Sequence, residues 1–268
     1  MDRILKLLIV VFVLFSCEKQ FKKEEKNNAP KVEQVSVIKA ESDPEPEFQE
    51  TEETLFKSLL PTTYRDWDNK NEVDQLTPNW IAVNEIDGQY FLQRSDFKVE
   101  RGFSECVGDS TKTIIPNDKT LIFLESNALK PGKINTIAIT RKKIWPNEKY
   151  TFVFNSVSYT LRATGDVKKT ENVYTDDGLE VFKVVENYRL YLYENGMNEQ
   201  PVLHESGFND TFVELKLIGD IDRDGKPDLI FRADRDYEEN RMLIFLSGSA
   251  LKDKIIKKAT EAVVQFDC

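Results

Sequence analysis

The chain has 268 residues, and its 47 Asp and Glu outweigh 37 Lys and Arg to give a formal net charge of −10. That balance argues against a nucleic-acid binder, which needs a basic surface for phosphate contacts. One histidine and three cysteines at wide spacing leave no Cys/His zinc site.

Residues 1–16 read as an export signal. Arg3 and Lys6 form a positive start, and Leu7 to Leu14 form an apolar stretch. The stretch is shorter than the roughly 20 apolar residues of a membrane-spanning helix. It ends in Leu14-Phe15-Ser16-Cys17, which resembles a bacterial lipoprotein signal. The resemblance implies that Cys17 is lipidated and holds the chain on a membrane of the bacterial cell envelope. The alternatives are an ordinary secretory signal cleaved near Ser16 and a weak membrane anchor.

Residues 17–54 read as an acidic, disordered tether. From Glu41 to Glu53 there are seven acidic residues and no basic one, with Pro44 and Pro46 among them. Such a segment buries too little apolar surface to offset its chain entropy.

Residues 55–268 read as a β-rich globular domain, all-β or α+β, with a sandwich-like antiparallel core. Trp80 to Ile86 runs into Asp87-Gly88, a dipeptide of two-residue hairpin turns, and Tyr90 to Val99 returns. Further strands are expected at Leu121 to Leu124, Thr136 to Thr140 and Tyr150 to Leu161. Others are expected at Val181 to Val185, Tyr188 to Tyr193 and Met242 to Leu246. Within Tyr150 to Leu161, Phe152 and Phe154 face one side and Val153 and Val157 the other. Helices are expected at 53–60 and at about 250–262, although the lysine-rich stretch from Leu251 also reads as a strand. Leu121-Ile122-Phe123-Leu124 followed by Ala128-Leu129-Lys130 is echoed by Leu243-Ile244-Phe245-Leu246 followed by Ala250-Leu251-Lys252. The echo marks either two related halves or chance.

One segment carries a defined chemistry, the hairpin of residues 212–233. Asp220, Asp222, Asp224 and Asp228 stand at positions 1, 3, 5 and 9 of a nine-residue frame, with Gly225 at position 6. Alternating carboxylates on a tight backbone suit Ca²⁺, which takes six to eight oxygen ligands at about 2.3–2.6 Å. Lys226, at position 7, would offer its backbone carbonyl. Position 12, acidic in an EF-hand, is Phe231, and the residues after Asp228 read as a strand. Val213, Leu215 and Leu217 alternate with Glu214 and Lys216, as in a half-buried strand before the loop. This combination resembles the calcium loop of FG-GAP and VCBS-type repeats. The resemblance implies side-chain ligands at Asp220, Asp222, Asp224 and Asp228, a carbonyl ligand at Lys226, and Ile221 as an apolar plug. The alternative is an acidic surface turn.

Cys106 and Cys268 are left as an even pair in an oxidising compartment, and a disulfide between them is expected. Two separate thiols are the alternative. His204, the sole histidine, sits in no recognisable catalytic arrangement. Asp234, Asp236, Glu238 and Glu239 form either a second metal group or a solvated loop. Tyr191 and Tyr193 form either a sugar-stacking platform or ordinary cross-strand packing. The favoured function is a lipid-anchored, calcium-binding interaction module with a protein or glycan ligand. The alternatives are a carboxylate-dependent, carbohydrate-active hydrolase and a purely structural envelope lipoprotein.

Overall fold

The computed structural model describes residues 54–175 and 178–266. These fall in one of two units of the chain, Pro44–Cys268. The export signal, Cys17, the tether up to residue 53, and Cys268 lie outside the described residues.

The first half runs β1 (Ser58–Leu59), β2 (Thr63–Arg65), a 3-10 turn at Glu72–Gln75, β3 (Ile81–Ile86), β4 (Gln89–Arg94) and β5 (Phe97–Ser104). It continues with β6 (Asp109–Pro116), β7 (Lys119–Leu124), β8 (Gly132–Lys133) and β9 (Asn135–Thr136). The second half holds β10 (Lys149–Phe154), β11 (Val157–Thr175), β12 (Gly178–Glu194) and β13 (Gln200–Gly207). It ends with β14 (Glu214–Asp220), β15 (Asp228–Arg232), β16 (Glu239–Leu246) and β17 (Lys257–Gln265). The fold is mainly β, in four antiparallel sheets. Their strand orders are β1-β7-β3-β4-β8, β2-β6-β5, β17-β16-β15-β14-β9 and β10-β11-β12-β13.

The expected sandwich has a third layer. The β17-to-β9 sheet lies in the middle and is buried on both faces. Ile230, Met242, Ile244 and Leu246 belong to one core with Ile81, Val83, Ile122 and Phe123 of the first sheet. Leu229, Phe231, Leu243 and Phe245 belong to a second core with Phe152, Leu161, Leu190 and Leu192 of the β10-to-β13 sheet. Successive side chains of a strand point to opposite faces, so a strand buried on both sides is apolar throughout. That accounts for the unbroken Leu243-Ile244-Phe245-Leu246 run.

The alternation expected through Val213, Leu215 and Leu217 is interrupted. Leu215 pairs with Phe231 and Leu217 with Ile230, so Lys216 is an extra residue. This bulge sends Leu215 into the second core and Leu217 into the first. Val213 is buried but precedes the strand.

Chain passage from the first sheet to the middle sheet is short. Gly132 and Lys133 pair with Leu92 and Phe91 at one sheet edge. Asn135 and Thr136 pair with Asp220 and Gly219 at the edge of the next. Ile134 between them is buried in the first core.

Several expectations need correction. Among the described residues there is no α-helix. Ser58 and Leu59 pair with β7, and residues 257–265 pair with β16. Helix propensity is a weak prior, and sheet pairing overrides it at both places. Tyr150 to Leu161 is not one strand. It turns at Asn155 and Ser156, both at positive φ, to make the β10–β11 hairpin. Phe152 and Phe154 are buried and Val153 is exposed, as the alternation implied. Tyr90 to Val99 breaks after Arg94, the two segments around Asn187 merge into β12, and Thr136 to Thr140 retains only Thr136 as strand. The Asp87-Gly88 hairpin is present, with φ of 50° and 72° as a tight turn requires. The two Leu-Ile-Phe-Leu runs lie in β7 and β16. Leu129 is buried after the first, whereas Leu251 is 69% exposed after the second.

Candidate metal site

The acidic loop closes the β14–β15 hairpin at one end of the middle sheet. Gly219 pairs with Asp228 at its base. Ile221 is buried in the first core, directly under the loop. Gly225 takes φ of 87° and supplies the turn. Carboxylate oxygens of Asp220, Asp222 and Asp224 lie within 4.8 Å of one another and could hold a metal ion.

Asp228 plays a different part from the other three. It is fully buried. Its Oδ2 accepts the Ile221 N–H at 2.6 Å and the Asp222 N–H at 3.2 Å. Its Oδ1 accepts the Ser247 N–H at 2.7 Å and lies 3.0 Å from the Ser247 hydroxyl. The carboxylate therefore ties the start of the loop to the end of β16. Burial, and after it the Asp222 charge, push the Asp228 carboxyl up to about 8, against the pull of these hydrogen bonds.

The outer aspartates are shaped by backbone donors. Gly225 N–H donates to Asp220 Oδ2 at 3.1 Å, and Lys226 N–H to Asp224 Oδ1 at 2.8 Å. Gly248 N–H donates to Asp222 Oδ2 at 3.1 Å. A side chain at Gly248 would place its Cβ 2.6 Å from that same oxygen, so any other residue there would displace the Asp222 carboxylate. Burial, then the Asp224 charge, hold the Asp222 carboxyl above the usual range. The Lys226 side chain is exposed.

Donor chemistry fits a hard cation. The three converging groups offer only oxygen. Asp220 Oδ1 is buried and has no hydrogen-bond partner. A buried carboxylate oxygen without a donor is costly, and a cation would satisfy it. Phe231, at position 12 of the frame, is buried in the second core. No bidentate acid therefore closes the site from there.

The flanking layers grip the loop from both sides. Arg223 is turned out of the loop and donates through Nη2 to the carbonyls of Lys130 and Pro131, at 3.2 and 2.9 Å. Those residues lead into β8 of the first sheet. On the other side Asn155, in the β10–β11 turn, donates through Nδ2 to the Gly225 carbonyl at 2.7 Å. Near the loop, burial and then the Glu194 charge push the Tyr159 hydroxyl up to about 12, and the Asp224 charge adds to this. Ser247, Gly248, Asn155 and Arg223 escaped the reading of the sequence. Only the Ser247-Gly248 turn signal after an apolar run hinted at any of them.

The other singled-out residues do not converge on the loop. Asp234 binds Arg232 Nε and the Arg241 N–H. Glu239 binds Arg235, and Asp236 accepts from Asn209. Among the described residues only Asp220, Asp222 and Asp224 come close enough together to hold a metal ion, so these acids form no second group of that kind. Tyr191 is buried beneath the Arg162 guanidinium, 4.5 Å from the ring centre, while Tyr193 is partly exposed. They form no shared platform. His204 is an exposed residue of β13 opposite Arg189. Cys106 is exposed in the turn of residues 105–108, and its expected partner lies outside the described residues.

No family model matches the chain, no curated protein is similar to it, and no solved structure is similar to it. What the structure shows of the expected calcium loop is the converging carboxylate group of Asp220, Asp222 and Asp224.

Proposed function

We propose that this protein is a lipid-anchored, calcium-binding interaction module of a bacterial cell envelope. The observation that carries the calcium assignment is the loop itself. Three carboxylates converge on one point, and one of their oxygens is buried without a donor. Ca²⁺ is favoured over Mg²⁺ because the groups are crowded carboxylates rather than an octahedral shell built largely of water. The envelope location rests on the Leu14-Phe15-Ser16-Cys17 resemblance alone.

Calcium here has a structural role. The loop joins the middle sheet to both outer layers, so neutralising its charge stabilises all three at one point. Extracellular modules bind calcium at about 10⁻⁴–10⁻³ M, which suits constant saturation more than signalling. At calcium one hundred times the dissociation constant, linkage contributes about 2.7 kcal/mol to the fold. The decisive measurement is thermal unfolding of the wild-type chain and of Asp222→Ala, each in calcium and in chelator, with calorimetric titration alongside. The expected result is a calcium-dependent rise in Tm for the wild type only. An equal Tm in both buffers, with no calcium heat at millimolar concentration, overturns the assignment.

A further inference from the structure

The hairpin of β11 and β12 outruns its sheet. β10 pairs with β11 only from Val157 to Arg162, and β13 pairs with β12 only from Glu186 to Leu192. Beyond them, among the described residues, β11 and β12 pair with each other alone, out to Thr175 and Gly178. One face of this two-stranded arm is held against the domain. Phe182 meets the Trp145 ring edge-on, with centres 6.0 Å apart, and Glu180 lies 3.2 Å from Lys143 Nζ.

The other face is apolar and open. Leu179 pairs with Tyr174 and Val181 with Asn172, and directly paired side chains share a face. Tyr174 is 88%, Leu179 58% and Val181 51% exposed. The Thr170–Lys183 pair completes the face, so it carries no acidic side chain in a chain that has 47.

The two edges of the arm differ. An unpaired strand edge invites another strand, and proteins blunt it with lysines and bulges. The β11 edge has both. Lys168 and Lys169 stand on it, and its register shifts twice, between Thr164 and Asp166 and between Val167 and Lys169. The β12 edge from Leu179 to Val185 keeps an unbroken register, and among the described residues no strand pairs with it on its outer side. Its two charges are met from within the same chain, Glu180 by Lys143 and Lys183 by Glu148 at 3.8 Å.

We propose that two copies of this chain associate through this open edge, β12 against β12, antiparallel about a two-fold axis at Val181. Charge selects a second copy as the occupant. In that register Val181 faces Val181, Leu179 faces Lys183, and Glu180 faces Phe182 of the other copy, so no like charges stand directly opposed. Registers centred on Glu180 or Lys183 would oppose like charges. One centred on Phe182 would crowd two rings onto the face that Trp145 occupies. The apolar side chains of Leu179 and Val181 from both copies then form one stripe. The contact is the same patch on each copy, and the guarded β11 edge stops further growth, so association ends at two. It rests on neither calcium nor lipid. A single row of strand pairing is smaller than a standard interface of roughly 800 Å² per partner, so the dimer is weak, with a dissociation constant on the order of 10⁻⁴ M.

The experiment is sedimentation equilibrium of the full chain in density-matched detergent, from about 10 µM to about 1 mM. A monomer–dimer equilibrium with no larger species is expected. Val181→Lys should weaken it about tenfold or more, because two ammonium groups would then face each other at the axis. Val181 is half exposed, so this variant should keep the wild-type Tm. A cross-linking test does not depend on that variant. Directly opposed Cα atoms lie about 4.5–5.5 Å apart, within disulfide reach, so Val181→Cys should link two copies on mild oxidation. Thr170→Cys, on the guarded strand, should not. A monomer at about 1 mM overturns the proposal. So does a dimer that Val181→Lys leaves intact, or equal cross-linking of Val181→Cys and Thr170→Cys.

Discussion

Ser247 meets Asp228 twice, through its backbone N–H at 2.7 Å and its hydroxyl at 3.0 Å, both at Oδ1. The same hydroxyl lies 3.0 Å from Asp224 Oδ1. It has one proton, so it can donate to only one of the two at a time. Ser247 thereby joins the buried anchor of the loop to an outer, solvent-facing aspartate. The end of β16 belongs to the candidate metal site as much as the hairpin does.

The two aspartates that share Ser247 should fail differently. Asp228→Asn puts an amide N–H₂ where two or more donors already point, which leaves buried groups unpaired. Such a loss costs about 1–3 kcal/mol, and it should appear in urea unfolding even with chelator present. Asp224→Asn, at an exposed position, should leave chelator stability nearly unchanged and remove most calcium heat. Equal destabilisation by both in chelator would contradict the division between anchor and ligand.

The Asn155 latch can be removed without disturbing its turn. Asn155 sits at φ of 45°, which glycine adopts freely. In Asn155→Gly the hairpin should persist while the bond to the Gly225 carbonyl is lost. A single neutral hydrogen bond is worth about 0.5–1.5 kcal/mol, so Tm should move little. Amide exchange across residues 222–226 should quicken, and calcium should slow it again. Unchanged exchange in that segment would show that the outer layer does not hold the loop.

Acid should weaken the fold through Glu261. Burial alone would raise its carboxyl, but the Arg241 charge and bonds from Lys258 and Arg241 outweigh burial and hold it below the usual range. A depressed folded value means that the group stabilises the fold above its unfolded pKa of about 4.5. That contribution is lost as pH falls through the folded value. Glu205, on the other side of Arg241, is raised, chiefly by burial, and acts with the opposite sign. Glu261→Gln should therefore destabilise at neutral pH, by about 1–3 kcal/mol for a charged hydrogen bond. The gap from wild type should narrow as pH falls below about 4.5 and through the depressed folded value. Urea midpoints at three pH values test this, and a gap independent of pH would refute it.

Cysteine chemistry offers a check on the two ends of the chain. Cys17→Ser should shift the protein from the membrane fraction to the soluble one, because stable anchoring needs acyl chains acting together. Non-reducing peptide mapping should find Cys106 linked to Cys268. That bond would close a loop of about 160 residues, for which chain-entropy models give roughly 5 kcal/mol. Two alkylated thiols in envelope-purified protein would exclude the bond, and unchanged membrane partition of Cys17→Ser would exclude the lipid.

Local features were legible because their causes are local. The Asp87-Gly88 turn follows from backbone preferences of two residues, and Phe152 and Phe154 face inward by simple alternation. The spacing of Asp220, Asp222 and Asp224 around Gly225 brings oxygens together whatever surrounds the loop. What lay beyond reach depended on distant partners. Periodicity reports that a residue is buried and does not report in which core. Leu215 and Leu217 keep the same spacing with or without the Lys216 bulge, and only pairing with Phe231 and Ile230 separates them. Residues 257–265 became a strand because β16 presented an open edge, a choice their own propensities do not make. The anchoring of Asp228 lay beyond reach because its position in the frame says nothing of Ser247, nineteen residues away in the chain, which supplies two of the donors around it.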